Sequence, residues 1–145
     1  MKVDLTELTN IEGVIESFIF KKGGEVLLPR LPYTDERIEH IGREVALCSA
    51  FLEKIKQEVN FFELIYEDRH VIVRIAHNFF TMVVCENTAD TTLIKLRLNV
   101  IHEGIKADND LQKMLRKSPG KENLLGEAKN ESELQQLFTM MKISV

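Results

Sequence analysis

The stretch that most constrains the fold is Gly13-Val14-Ile15-Glu16-Ser17-Phe18-Ile19-Phe20-Lys21-Lys22-Gly23-Gly24-Glu25-Val26-Leu27. An apolar run rich in β-branched and aromatic residues reaches a Gly-Gly pair, and a shorter apolar run follows it. Glycine adopts positive φ without a Cβ penalty, so Gly23-Gly24 predicts a tight turn whose twist matches two antiparallel strands. Ile15, Ser17 and Ile19 fall on one face of the first strand, and Val14, Glu16, Phe18 and Phe20 on the other. Apolar residues on both faces predict a strand covered on both sides. Pro29 and Pro32 end the pairing, since neither donates a ladder hydrogen bond.

The elements around this hairpin follow from periodicity. Val3 to Asn10 reads as a short amphipathic helix stopped by Gly13. Thr34 is a good N-cap, followed by Asp35 and Glu36 at the positive helix start. Ile38, Ile41, Val45, Cys48, Leu52 and Ile55 then recur at steps of three and four, which predicts a helix ending near Gln57. Phe61–Glu67, Val71–Ala76 and Phe79–Cys85 read as strands joined by Asp68-Arg69 and His77-Asn78. Links this short require antiparallel neighbours, so the three runs form a meander.

A second long helix follows, capped by Thr91 or Thr92 and reaching about Lys106. It carries one apolar stripe at Ile94, Leu98, Ile101 and Ile105, and a second at Leu93, Leu96 and Val100. Asn109 to Lys117 continues as helix. Residues 118–130 read as a polar linker, and residues 131–145 as a C-terminal helical extension capped by Ser132, with Leu134, Leu137, Phe138 and Met141 on one face.

A chain of 145 residues suits one domain able to bury about 68–70% of its unfolded surface without disulfide or metal staples. Cys48 and Cys85 sit inside apolar patterns and read as small buried hydrophobes. The net charge of −4 argues against a dedicated nucleic-acid binder. No apolar run approaches the roughly 18–20 residues that span a bilayer, and Asp4 falls where a signal peptide has its apolar core. These features predict a cytoplasmic protein without membrane insertion.

The order helix, strand, Gly-Gly turn, strand, long helix, three-strand meander, long helix resembles the Roadblock/dynein light chain domain family. The matching pieces are Ile11-Glu12-Gly13-Val14-Ile15, Lys22-Gly23-Gly24-Glu25-Val26-Leu27, Val71-Ile72-Val73-Arg74-Ile75, Phe79-Phe80-Thr81-Met82-Val83-Val84 and Leu96-Arg97-Leu98-Asn99-Val100-Ile101. They lie within residues 3–108, in a Roadblock-like domain drawn over 1–117. The resemblance implies an α+β fold: a five-stranded antiparallel sheet with the middle helix on one face and the terminal helices on the other, related to longin and profilin-like modules. It also implies dimers in which third strands pair across a two-fold axis beside the middle helices. Bacterial members often accompany small Ras-like GTPases as activators or regulators, and eukaryotic members serve as dynein subunits or lysosomal scaffold components.

The residues support parts of this independently. Leu47 and Phe51 flank the main stripe of the middle helix. Phe61, Glu63 and Ile65 share the more polar face of the third strand, whose edge would invite a partner strand. These five residues are the expected homodimer interface. The charged flank of the middle helix, Glu36, Arg37, Glu39, His40, Arg43 and Glu44, is the expected GTPase-binding surface.

Catalytic signatures are missing from the sequence. His40, His70, His77 and His102 lack metal-ligand spacing, Gly23-Gly24 precedes a strand rather than a phosphate-binding helix, and no nucleophile elbow occurs. The expectation is therefore a non-catalytic, homodimeric regulatory or scaffold protein with no cofactor. The alternatives are a small-molecule-sensing module of profilin-like type or a purely structural scaffold subunit.

Overall fold

The Gly-Gly turn brings the hairpin onto the backbone of the middle helix. The computed structural model describes residues 3–29, 35–56, 58–117, 139 and 141–144, the last four by backbone alone. Strand β1 (Val14–Lys21) returns as β2 (Val26–Leu28) through a turn in which Lys21 N–H donates to Glu25 O at 2.8 Å and Gly24 N–H to Lys21 O at 2.9 Å. Gly24 has φ +96°, and the turn rests on Gly42 in helix α2 (Glu36–Lys54). A Cβ on Gly42 would lie 2.5 Å from Gly24 O and 2.6 Å from the Phe20 ring. Only a pair of glycines allows backbone to approach this closely.

The remaining elements are α1 (Thr6–Thr9), β3 (Phe61–Ile65), β4 (His70–Ile75), β5 (Phe79–Cys85), α3 (Thr91–Ala107), α4 (Asn109–Arg116) and β6 (Met141–Ser144). All strand pairs are antiparallel, in the order β2-β1-β5-β4-β3-β6. The five expected strands and their meander are present. The sheet is one strand wider than expected, because residues 141–144 add β6 to the outer edge of β3.

Alternation along the strands divides the core. Phe18, Phe20, Phe62, Leu64, Val71, Val73, Phe80, Met82 and Val84 pack with Ile38, Ile41, Val45, Leu47, Cys48 and Leu52 of α2. Ile19, Phe61, Ile72, Phe79, Val83 and Cys85 pack on the opposite face with α1, α3 and α4, through Leu8, Ile94, Leu98, Ile101, Ile105, Leu111 and Leu115. Phe20 stacks on Phe80 with ring centroids 4.9 Å apart. Middle helix on one face and terminal helices on the other is the arrangement expected for the α+β class.

Several local expectations are corrected. Thr34 lies outside the described residues, and Asp35 is the N-cap of α2, accepting from Arg37 N at 3.0 Å and Ile38 N at 3.4 Å. Asp90, rather than Thr91 or Thr92, caps α3 by accepting from Leu93 N at 3.1 Å. A carboxylate gains from the helix dipole as well as from the hydrogen bond. Helix α2 ends at Lys54, short of Gln57, and the chain leaves it through Lys56 with φ +56°. In β1 the register shifts between Val14 and Glu16, so Val14 stands opposite Cys85 and Glu16 opposite Val84. That irregularity sends Val14 and Glu16 to opposite faces and leaves Ile15 exposed, where strict alternation had grouped them otherwise.

The expected C-terminal helical extension departs from expectation in its final described residues alone: Thr139 is helical, and residues 141–144 form a strand. Residues 118–138, including the linker and Leu134, Leu137 and Phe138, lie outside the described residues. Met141, placed in the helical stripe by its spacing, instead begins β6. Met141-Lys142-Ile143-Ser144 alternates apolar and polar with period two, and β3 offers it a backbone ladder. The second stripe of α3 stays open: Leu93, Leu96 and Val100 are exposed.

Both cysteines are buried and free, as expected. Burial, with Glu44 nearby, pushes the Cys48 thiol up to about 12. Burial, with Glu63 and Glu86, pushes Cys85 up to about 11. His102 is only 5% exposed, and its ring lies 5.4 Å from that of Phe79. Burial first, then the positive charge of Arg74, lowers its pKa from 6.5 to about 4.

Two stability measurements follow. Gly42→Ala should destabilise by about 1–3 kcal/mol or more through overpacking. Gly104→Ala, where the nearest atom to the new Cβ is Val3 Cγ2 at 3.8 Å, should be neutral or stabilising by up to about 1 kcal/mol. Denaturant titration compares the two, and equal effects would remove the close-approach argument. Because His102 stays neutral when folded, the unfolded chain binds the extra proton between about 6.5 and about 4. The stability associated with this group is present above pH 6.5 and lost as pH falls through that window. His102→Leu should flatten this part of the melting temperature against pH curve, and an unchanged slope would contradict the assignment.

Candidate partner-binding surface

The outer flank of α2 is charged because the apolar stripe has turned the other way, into the sheet. Glu36, Arg37, Glu39 and His40 are exposed, while Arg43 and Glu44 are half-buried. Several of these side chains are held by neighbours. Arg37 Nη2 donates to Glu16 Oε1 of β1 at 2.8 Å and lies 4.0 Å from Asp35 Oδ2, tying the first turn of the helix to the sheet. Glu44 accepts from Tyr66 Oη at 2.7 Å and lies 2.7 Å from His40 Nε2. Burial, followed by the Glu44 hydrogen bond, raises the Tyr66 hydroxyl well above the usual phenol range. Restraint of this kind lowers the side-chain entropy a partner would otherwise have to remove. The structure therefore gathers the six expected partner-binding residues on one helix.

The five expected dimer residues do not form one exposed patch. Leu47 is 1% exposed, inside the core shared by α2 and the sheet. Its spacing from Phe51 suggested a surplus beyond the sheet-facing stripe, but the strands are broad enough to bury it within the chain. Phe51 is half-buried and Ile65 exposed. Phe61 and Glu63 are buried toward α3. The β3 edge, expected to be open for a second copy, carries this chain's own β6.

Glu63 is the centre of a polar cluster that sequence reading did not assemble. It is 1% exposed, yet Oε1 lies 2.8 Å from His70 Nε2 and Oε2 accepts from Lys95 Nζ at 3.4 Å. The His70 approach is not an aligned hydrogen bond. Arg74 and Lys95 also stand over the Phe61 ring, at 5.3 and 5.9 Å. Arg74 is fixed in turn by Asn99 Oδ1 at 2.9 Å and Ile75 O at 2.7 Å. A buried carboxylate is tolerated where cations accompany it. The one clue in the sequence was Glu63 itself, an acid within an apolar strand.

A cavity of about 170 Å³ opens between α1 and α3, lined by Val3, Asp4, Glu7, Val100, Ile101 and Gly104. It is smaller than the roughly 300–1,000 Å³ of ordinary small-molecule sites. No group of three or more His, Cys, Asp or Glu side chains among the described residues is placed to hold a metal ion. No helix among them is long and apolar enough to cross a membrane.

Comparison by sequence finds no matching family model and no matching curated protein. Comparison by structure does find similar folds. The chain is similar to a Roadblock/LC7 domain from Streptomyces avermitilis (TM-score 0.57, 10% identity, 70% of this chain and 90% of that one). It is similar to the gliding protein MglB of Thermus thermophilus (TM-score 0.51, 17% identity, 79% and 87%). It is also similar to Myxococcus xanthus MglB (TM-score 0.51, 15% identity, 68% and 83%). At these identities the shared property is backbone architecture, and it agrees with the element order read from the glycines and apolar spacing: this chain has the Roadblock/LC7 fold.

Proposed function

We propose that this chain is a non-catalytic regulatory or scaffold protein that binds a small Ras-like GTPase and modulates its activity. The observation that carries the reading is the outer face of α2. It presents Glu36, Arg37, Glu39 and His40 to solvent on a helix packed against a sheet of Roadblock/LC7 fold. Partnership with Ras-like GTPases is what the Roadblock resemblance implies. A mixed-charge face of this kind suits docking, where complementary charge sets encounter rate and specificity. Modulation would come from reshaping the GTPase's own catalytic loops, with Arg37 and Arg43 as the cations nearest to any phosphate charge. Self-association through β3 is not required, since α2 offers its outer face in a single chain. The same face would serve a purely structural scaffold, which differs in its partner and not in its surface.

The experiment is affinity capture from the native cell with the full chain as bait, with lysates loaded with GDP or a non-hydrolysable GTP analogue. A small Ras-like GTPase should be enriched by the wild-type chain and lost with Arg37→Glu/Arg43→Glu, while the circular dichroism spectrum is preserved. Capture of such a GTPase unaffected by the double reversal would reject the α2 face. Failure to enrich any GTPase would reject the function.

A further inference from the structure

The outer side of α3 is an apolar ridge graded by size. Leu96 and Val100 are 60% and 59% exposed, and Leu93 is exposed one turn earlier. At about 100° per residue the same side of the helix continues through Gly104 and Ala107, which are exposed as well. A Cβ on Gly104 would find nothing closer than Val3 Cγ2 at 3.8 Å, so the ridge sinks to the backbone there. The helix therefore carries leucines in its first half, Val100 in the middle, and glycine and alanine in its second half. Contiguous exposed apolar surface of this kind marks an interaction site.

Beside the low half lies the cavity of about 170 Å³ between α1 and α3. Asp4 and Glu7, both exposed, give it an acidic rim. The Thr6 hydroxyl and backbone N–H donate to Asp4 Oδ1 at 2.7 and 2.9 Å and hold its carboxyl below the ordinary range. Arg97 is exposed on this same flank of α3, one turn before Ile101 of the cavity wall. The opposite flank faces the sheet edge, where Lys95 and Asn99 meet Glu63 and Arg74. Glu103 also lies on that side, with Lys106 at 3.9 Å.

A second copy of this helix, run antiparallel, complements both features. Leu96 and Leu93 stand four and seven residues before Val100, and Gly104 and Ala107 four and seven after it. A two-fold axis at Val100 therefore brings the high half of each helix onto the low half of the other. Leu96 becomes a knob over the hole formed by Val100, Glu103, Gly104 and Ala107 of the second copy. A parallel pair would set large against large and small against small. The same axis joins like flanks, so Arg97 of each copy stands over the acidic cavity of the other. The cavity suits the end of a long side chain.

We propose that the outer face of α3 is a self-association surface, on which two copies pack their α3 helices antiparallel about Val100, with Leu96 of each seated over Gly104 and Ala107 of the other and Arg97 of each facing Asp4 and Glu7 of the other. The interface is isologous and closes at two copies. It lies across the sheet from α2 and uses neither edge of the sheet, so it neither requires nor prevents pairing there. Its failure leaves the GTPase reading standing, and failure of that reading leaves this one standing.

The test is sedimentation velocity of the full chain over a wide range of loading concentration. The wild-type chain should associate, and Leu96→Asp should weaken association by about thirtyfold or more. Arg97→Glu alone should weaken it by about tenfold or more, and so should Asp4→Lys/Glu7→Lys alone, because each sets like charges across the axis. Mixing these two chains should restore association, since the mixed pair matches opposite charges at both contacts. Circular dichroism should stay unchanged, and Glu7→Lys carries the test if Asp4→Lys/Glu7→Lys perturbs the fold. A wild-type chain that stays single at every loading would overturn the proposal. So would association indifferent to Leu96→Asp and Arg97→Glu, or a mixture that associates no better than its components. A melting temperature lowered by Leu96→Asp with unchanged sedimentation would place another part of the same chain on the ridge and overturn it too.

Discussion

The backbone ladder along the outer edge of β3 is the contact on which the arrangement of this molecule depends. A strand buried on both faces cannot leave its outer N–H and C=O groups unpaired without cost, and it cannot turn them to solvent without losing its core. Here the groups are met by residues 141–144 of the same chain. The Roadblock resemblance predicts that a second copy would meet them instead. In this chain the surface that the resemblance assigns to a dimer carries an internal contact.

On the other side of the sheet, the position of α2 follows from the meeting of Gly24 and Gly42. Their contact lets the helix lie close over β1 and β2, so that Leu47 and Cys48 reach the sheet. Its remaining face is left charged and is steadied by Arg37–Glu16 and by the His40–Glu44–Tyr66 group. The two ends of the sheet therefore do different work. The hairpin end seats the helix that presents charge, and the β3 end is closed by the C-terminal strand.

Much of this was legible in the residues. The hairpin, the meander with its short links and the stripe of α3 at Ile94, Leu98, Ile101 and Ile105 depend on local spacing, and local spacing is written in the sequence. Leu47 and Glu63 were harder to place. Helical periodicity tells which flank a residue occupies but not how wide the opposing sheet is, so Leu47 looked like a surplus. The partners of Glu63 come from β4 and α3, seven and thirty-two positions away, and no local pattern announces them. β6 was missed because Met141-Lys142-Ile143-Ser144 is too short to outweigh the helical spacing of Leu134, Leu137, Phe138 and Met141. Its strand state is decided by the edge it joins. The Leu93, Leu96 and Val100 stripe was read correctly as a second apolar face, and its exposure shows that a pattern can identify a face without identifying what lies against it.

Residues 141–144 close the β3 edge from within the chain. An equimolar mixture of carbon-13-labelled and unlabelled protein, examined by isotope-filtered nuclear Overhauser spectroscopy, separates contacts within a chain from contacts between copies. Cross-strand proton contacts between residues 61–64 and 141–144 should appear within one chain, and none between chains. Contacts joining β3 of one copy to β3 of another, or β6 of one copy to β3 of another, would contradict that closure.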